Sequence, residues 1–159
     1  MNNISIIPIN NLPEFEPKYD LADEIVKSFS SNNFVLEDKD VIVITQKIVS
    51  KVEDRLIKND NESIEKLIQQ ESLEILRKRG DTVIARTKHG FICANAGIDK
   101  SNIEKGSVLL LPEDPDKTSR DIRKKIEHVT NKKISIIISD TFGRAWRKGQ
   151  TNVAIGSSG

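Results

Sequence analysis

Asp99 in ANAGIDKSN and Asp140 in ISIIISDT are the carboxylates best placed to do chemistry. Asp140 and Thr141 follow the apolar run Ile134 to Ile138, and α/β sheets hold their ligands beyond the carboxyl ends of strands. Asp99 follows the small residues Ala94 to Gly97, and Ser101 and Asn102 add further oxygen or amide groups. Brought to about 4 Å, two carboxylates repel by roughly 4 kcal/mol at an effective dielectric of 20, so a shared site would want a cation between them. The hard oxygen donors favour Mg²⁺ or Mn²⁺ over zinc. The same residues also suit ordinary roles, Asp140 as a turn cap and Asp99 and Asn102 as turn formers. Spacing leaves that choice open.

Basic residues form two further candidate groups. In TQKIVSK, Lys47 and Lys51 are four apart and share a face if the segment is helical, where both could reach phosphates. Arg144, Arg147 and Lys148 are interleaved with Gly143, Trp146 and Gly149, as a phosphate-contacting loop requires and as a solvated basic loop over a packed Trp also would. Neither G-x-x-x-x-G-K-[ST] nor G-x-G-x-x-G occurs. His89, between Lys88 and Gly90, reads as a turn histidine, and Cys93, in an apolar strand, as a buried and inert thiol.

The elements that must position these groups alternate. Ile4 to Ile9 reads as a strand, followed by the loop LPEFEPKYD. Asp20 caps a helix carrying Leu21, Ile25 and Phe29, with Asp23 and Glu24 in its first turn. Val41 to Ile44 and Ile134 to Ile138 read as strands buried on both faces. Asn61 to Arg79 is predicted as the longest helix, stopped by Gly80, with Ile64, Ile68 and Ile75 on one face. Thr82 to Arg86 and Phe91 to Cys93 form a hairpin around His89 and Gly90, and Val108 to Leu111 another strand. Asp114 and Pro115 open a helix bearing Ile122, Ile126 and Val129. The expectation is one α/β or α+β unit, a mixed sheet with flanking helices.

At 159 residues the chain is long enough for a genuine core. With 25 Lys and Arg against 24 Asp and Glu, the net charge of +1 makes no global field for nucleic acid or membrane. One cysteine and no long apolar run fit a cytoplasmic, reducing setting.

The stretches VIVITQKIVSKVEDR, HGFICANAGIDKSNI, LLPEDPD and SDTFGRAWRKGQTNVAIG, with LPEF before them, together resemble the coenzyme F-420:L-glutamate ligases. The resemblance covers the chain almost end to end. It implies a GTP-dependent ligase that joins L-glutamate to the lactyl carboxylate of the deazaflavin precursor through an acyl phosphate, then extends the tail by γ-linked glutamates. Mg²⁺ or Mn²⁺ and K⁺ are the implied cofactors, and a homodimer the implied assembly. By motif, Asp99, Asp140 and Thr141 would bind metal, while Asn102, Gln46, Lys47, Lys51 and the loop Leu12, Pro13, Glu14 and Phe15 would contact GTP. No catalytic residue is assigned.

Two features depart from the family. Its chains run to roughly 250 residues, above the commonest domain sizes, so residues 1–159 read as the N-terminal portion of a ligase domain. The absent segment resembles the part that supplies a further metal ligand and a Gly-containing GTP loop. Asn152 also stands where Asp is expected, which removes a charge. The alternative is a non-catalytic GTP- or coenzyme-binding module, or an inactive fragment of such a ligase.

Overall fold

The computed structural model describes residues 4–58, 64–101, 103, 106–143 and 148–159. Their chain order is α1 (Leu21–Ser31), β1 (Val41–Thr45), α2 (Gln46–Val52), β2 (Leu56–Lys58), α3 (Ile64–Glu71), β3 (Ser72–Arg79), β4 (Thr82–Thr87) and β5 (Ile92–Ala94). A single 3₁₀ turn, Asn95–Gly97, follows, then β6 (Ser107–Leu109), α4 (Pro115–Thr130), β7 (Ser135–Gly143) and β8 (Gln150–Ser158). Helices and strands mix in an α+β arrangement.

The main sheet has the order β1-β7-β8, with β1 parallel to β7 and β8 antiparallel to it, so the expected mixed sheet is present. α4 packs on β7 and β8, and α1 packs on α4. Local signals explain both helices. Asp20 Oδ1 accepts from Asp23 N at 3.1 Å, and Asp114 Oδ1 accepts from Lys117 N at 2.8 Å ahead of Pro115. Between the helices and the sheet lies the core of Leu21, Ile25, Phe29, Ile122, Ile126, Ile136 and Ile138.

Several expectations are corrected. Ile4 to Ile9 forms no strand, because no described ladder takes it; Ile4 and Ile6 are 93% exposed. β1 is not buried on both faces: it is a sheet edge, with Val41 and Val43 exposed. β7, between two partners, buries Ile136 and Ile138 completely on one face, while Ser135, Ile137 and Ser139 on the other are only half-buried. Val129 lies exposed near the end of α4.

The predicted long helix ends at Glu71, and Asn61 lies outside the described residues. Ser72–Arg79 instead pairs with β4, with two register shifts, and Gly80 at φ 57° makes the reversal between the strands. Leu73, Ile75 and Leu76 stay exposed. A helix there would have gained no buried apolar stripe, whereas the hairpin satisfies the backbone. The second hairpin, β4 with β5, is as expected. Among the described residues no helix is long and apolar enough to cross a membrane.

Candidate functional site

Asp99 is held by its backbone. Three successive residues, Asn95, Ala96 and Gly97, have φ of 51°, 54° and 76°, which turns the chain sharply out of β5. Only glycine fits the third position, since a Cβ on Gly97 would lie 2.6 Å from Leu111 Cδ1. Two residues later Asp99 exchanges both backbone hydrogen bonds with Leu109, each 2.9 Å. Its Oδ1 then accepts from Ser101 N at 2.7 Å and Ser101 Oγ at 2.8 Å, an Asx turn that aims the carboxylate.

Asp99 Oδ2 faces Lys47 Nζ at 2.8 Å, and the same ammonium donates to Ser101 O at 3.1 Å and Ser101 Oγ at 2.7 Å. α2 is helical, so Lys47 and Lys51 do lie one turn apart on a shared face. Lys51 is ion-paired with Glu14. Within the Leu12 to Phe15 loop, Leu12 and Pro13 are half-buried, Glu14 is exposed, and Phe15 sits in the core against Tyr19. Gln46 is fully buried, and its Oε1 accepts from Ser50 Oγ at 2.8 Å. That burial makes Gln46 a support for the start of α2; its amide would need a rearrangement to touch GTP.

Asp140 does not lie past the end of a strand, as expected, but within β7, opposite Val153 of β8. The ladder shifts register between Ile138 and Ser139, a bulge of the kind that re-aims side chains. Thr141 is opposite Asn152, and its hydroxyl donates to Asn152 Oδ1 at 2.9 Å. The parallel register sets Thr45 beside Ser139, so Gln46 and Lys47 leave β1 at the level where Asp140 follows in β7. Asn102, Arg144, Trp146 and Arg147 lie outside the described residues, and Lys148 is exposed.

The charges sense one another. Burial pushes Asp140 above the usual carboxylate range; the negative charge of Asp99 adds to this, while a bond from Thr141 N and the charge of Lys47 oppose it. At Asp99 burial acts in the same upward sense, but Lys47 and Ser101 outweigh it and hold the carboxyl below its ordinary value. Cys93 is 8% exposed, and burial with the charge of Asp140 pushes its thiol up to about 11, as an inert buried thiol requires. His89 Nε2 lies 3.0 Å from Glu113 O, and its ring stacks on Phe91, which meets Phe142 edge-on. That is a packing role.

Asp99, Asp140 and Lys47 therefore form one electrostatic group, with Thr141 beside Asp140. The donors fit a divalent cation of the Mg²⁺ type. Two carboxylates and a hydroxyl are hard oxygens, and no cluster of three His, Cys, Asp or Glu suited to a metal occurs among the described residues. Mg²⁺ ordinarily takes one or two carboxylates and completes its shell with water and phosphate. A separate cleft of about 490 Å³ between α1, α2 and α4 contains none of these residues. Its charged groups are already committed: Glu53 accepts from Thr118 and Glu113, Lys125 pairs with Asp20, and Lys117 with Asp121.

A sequence model of the family described as F420-0:Gamma-glutamyl ligase matches residues 10–159. The chain belongs to this family. Among its ligase relatives, a protein of Methanococcus maripaludis strain S2 named coenzyme F420:L-glutamate ligase is 44% identical over 145 residues, covering 80% of this chain and 58% of the relative. A protein of the same name from M. maripaludis strain C6 is 42% identical over 159 residues, 89% of this chain and 61% of the relative. One from Methanocaldococcus jannaschii is 41% identical over 143 residues, 79% and 57%. The chain thus spans about three fifths of the length of these gamma-glutamyl ligase relatives.

Part of the site was hidden in the sequence. The D-x-S of Asp99 and Ser101 is a visible Asx-turn signal. The Thr141–Asn152 bond and the Lys51–Glu14 pair depend on sheet register and on the path of the first loop, which leave no local mark.

Proposed function

We propose that the protein acts as a GTP-dependent ligase that adds L-glutamate to the deazaflavin coenzyme F-420 precursor. The observation that carries this reading is the grouping of Asp99, Lys47 and Asp140 where β1 gives way to α2 beside the middle of β7, in a chain of the gamma-glutamyl ligase family.

In this reading Asp99, Asp140 and Thr141 would hold Mg²⁺ or Mn²⁺, which would supply charge neutralisation for the triphosphate. Lys47 and Lys51, a turn apart on α2, contact phosphate oxygens as point charges. Glu14 orients Lys51, and Asn152 fixes the Thr141 hydroxyl. The acceptor carboxylate attacks the γ-phosphorus of GTP, releasing GDP and forming an acyl phosphate. The glutamate amine then attacks the acyl carbon and phosphate leaves, giving the amide; later rounds use the γ-carboxylate of the new glutamate. Phosphoryl transfer of this kind is largely positioning and charge stabilisation, which these residues can provide. K⁺ as a second cation, a homodimer and a cytoplasmic setting belong to the same reading.

The test is a reaction of the protein with precursor, L-glutamate, GTP, Mn²⁺ and K⁺, followed by mass spectrometry. The expected product carries one or more added glutamyl groups and fails to form with Asp99→Asn or Asp140→Asn. GTP binding without transfer would make the protein a binding module instead.

A further inference from the structure

We infer that Lys47 is an exchangeable occupant of the cation position: it leaves Asp99 for phosphate when Asp99 takes up a divalent ion. The inference rests on the reading of Asp99 and Asp140 as metal ligands. All three hydrogen-bond donors of the Lys47 ammonium are engaged, on Asp99 Oδ2, Ser101 O and Ser101 Oγ. An ammonium and a divalent ion cannot share Oδ2, because both are positive and both need its lone pairs.

Asp99 is built to survive the exchange. Its Oδ1 stays anchored by Ser101 N and Oγ, and its backbone by Leu109, so removing Lys47 frees one oxygen without releasing the carboxylate. Lys47 and Asp99 are 27% and 24% exposed, enough for the flexible lysine stem to swing. One turn further on, Lys51 is likewise paired, with Glu14. Both lysines of this face are thus occupied by carboxylates, and an incoming metal and nucleotide exchange one set of partners for another. Metal alone must displace Lys47 with no phosphate to receive it. Metal with nucleotide meets no such cost, so the two enter together.

The test is Mn²⁺ titration of the chain without nucleotide, followed by electron paramagnetic resonance of the free ion. Lys47→Met is expected to bind Mn²⁺ about fivefold more tightly than the parent, the scale of losing one partly exposed like-charge neighbour. In the unmodified protein, acylation of Lys47 by an amine reagent, read by mass spectrometry, is expected to rise when Mn²⁺ alone is added. Unchanged or weaker Mn²⁺ binding by Lys47→Met, or unchanged labelling at saturating Mn²⁺, overturns the exchange. Asp140→Asn separates the two ideas. If it binds Mn²⁺ as the parent does, the metal-site reading fails. If it weakens binding while Lys47→Met does not tighten it, only the exchange fails.

Discussion

Lys47 Nζ lies 2.8 Å from Asp99 Oδ2, joining the first turn of α2 to the loop after β5 across a long stretch of chain. Asp140, half-buried in β7, feels both charges, repelled by Asp99 and attracted by Lys47. One ammonium therefore serves two carboxylates, and Asp140 has the poorer share.

Asp140→Asn should accordingly stabilise the metal-free protein. The substitution keeps the shape and removes a charge that burial and Asp99 both oppose. A thermal midpoint raised by about 2 °C is expected. The upward shift on adding Mn²⁺ should disappear in the same variant. Circular dichroism melts with and without Mn²⁺ measure both, and a lowered metal-free midpoint would contradict the picture.

Gly97→Ala should destabilise by about 2–3 kcal/mol. The residue has φ 76°, and its new Cβ would press on Leu111, which belongs to the core. Urea unfolding gives the number. A change within a few tenths of a kcal/mol would show that the turn before Asp99 is not constrained.

Glu71→Ala tests the link between α3 and the rest of the chain. Arg55 Nη2 meets Glu71 Oε2 at 2.8 Å, Arg55 Nε donates to Leu111 O at 2.9 Å, and Lys88 approaches Glu71 at 3.4 Å. Both members of the Arg55–Glu71 pair are largely buried, so removing one strands the other; a loss of about 2–3 kcal/mol is expected in denaturant titrations.

Asp20 sets a pH dependence. Its bond to Lys125 lowers its carboxyl below the usual value against a smaller effect of burial, with help from Asp23 N. The unfolded chain then binds the proton more readily. The stabilisation is present above the unfolded value of about 3.9 and is lost as pH falls through the lower folded one. Asp20→Asn keeps a cap but not the charge, so it should be slightly less stable at neutral pH and equal to the parent in strong acid. Melting curves across that range decide it.

Cys93 should react with thiol reagents about a hundredfold more slowly than in the unfolded chain near neutral pH, because its pKa of about 11 leaves little thiolate. Asp140→Asn should speed the reaction, since one source of the upward shift is gone. A rate equal to that of the unfolded control would contradict the burial.

The parts legible in the sequence were those set by neighbours in the chain. Asp20 and Asp114 cap their helices through bonds to residues three further on, and His89–Gly90 marks a hairpin within a few positions. Ser72–Arg79 misled because Ile75 continues the helical period of Ile64 and Ile68 and suits a strand equally well; pairing with β4 across the Gly80 turn decides between them. Val41 and Val43 read as buried because β-branched runs usually are, while edge position is a property of the whole sheet. Asp99, Asp140 and Lys47 were each visible as candidates. Their grouping came only with the β1–β7 register and the Asp99–Leu109 bridge.

Oxygen-18 in the acceptor carboxylate of the deazaflavin precursor tests the proposed ligase most directly. With GTP, L-glutamate, Mn²⁺ and K⁺, the account predicts a glutamylated product that keeps one labelled oxygen in its new amide and a released phosphate that carries the other. Glutamylated product with unlabelled phosphate would contradict the acyl-phosphate route, and no glutamylated product at all would contradict the ligase.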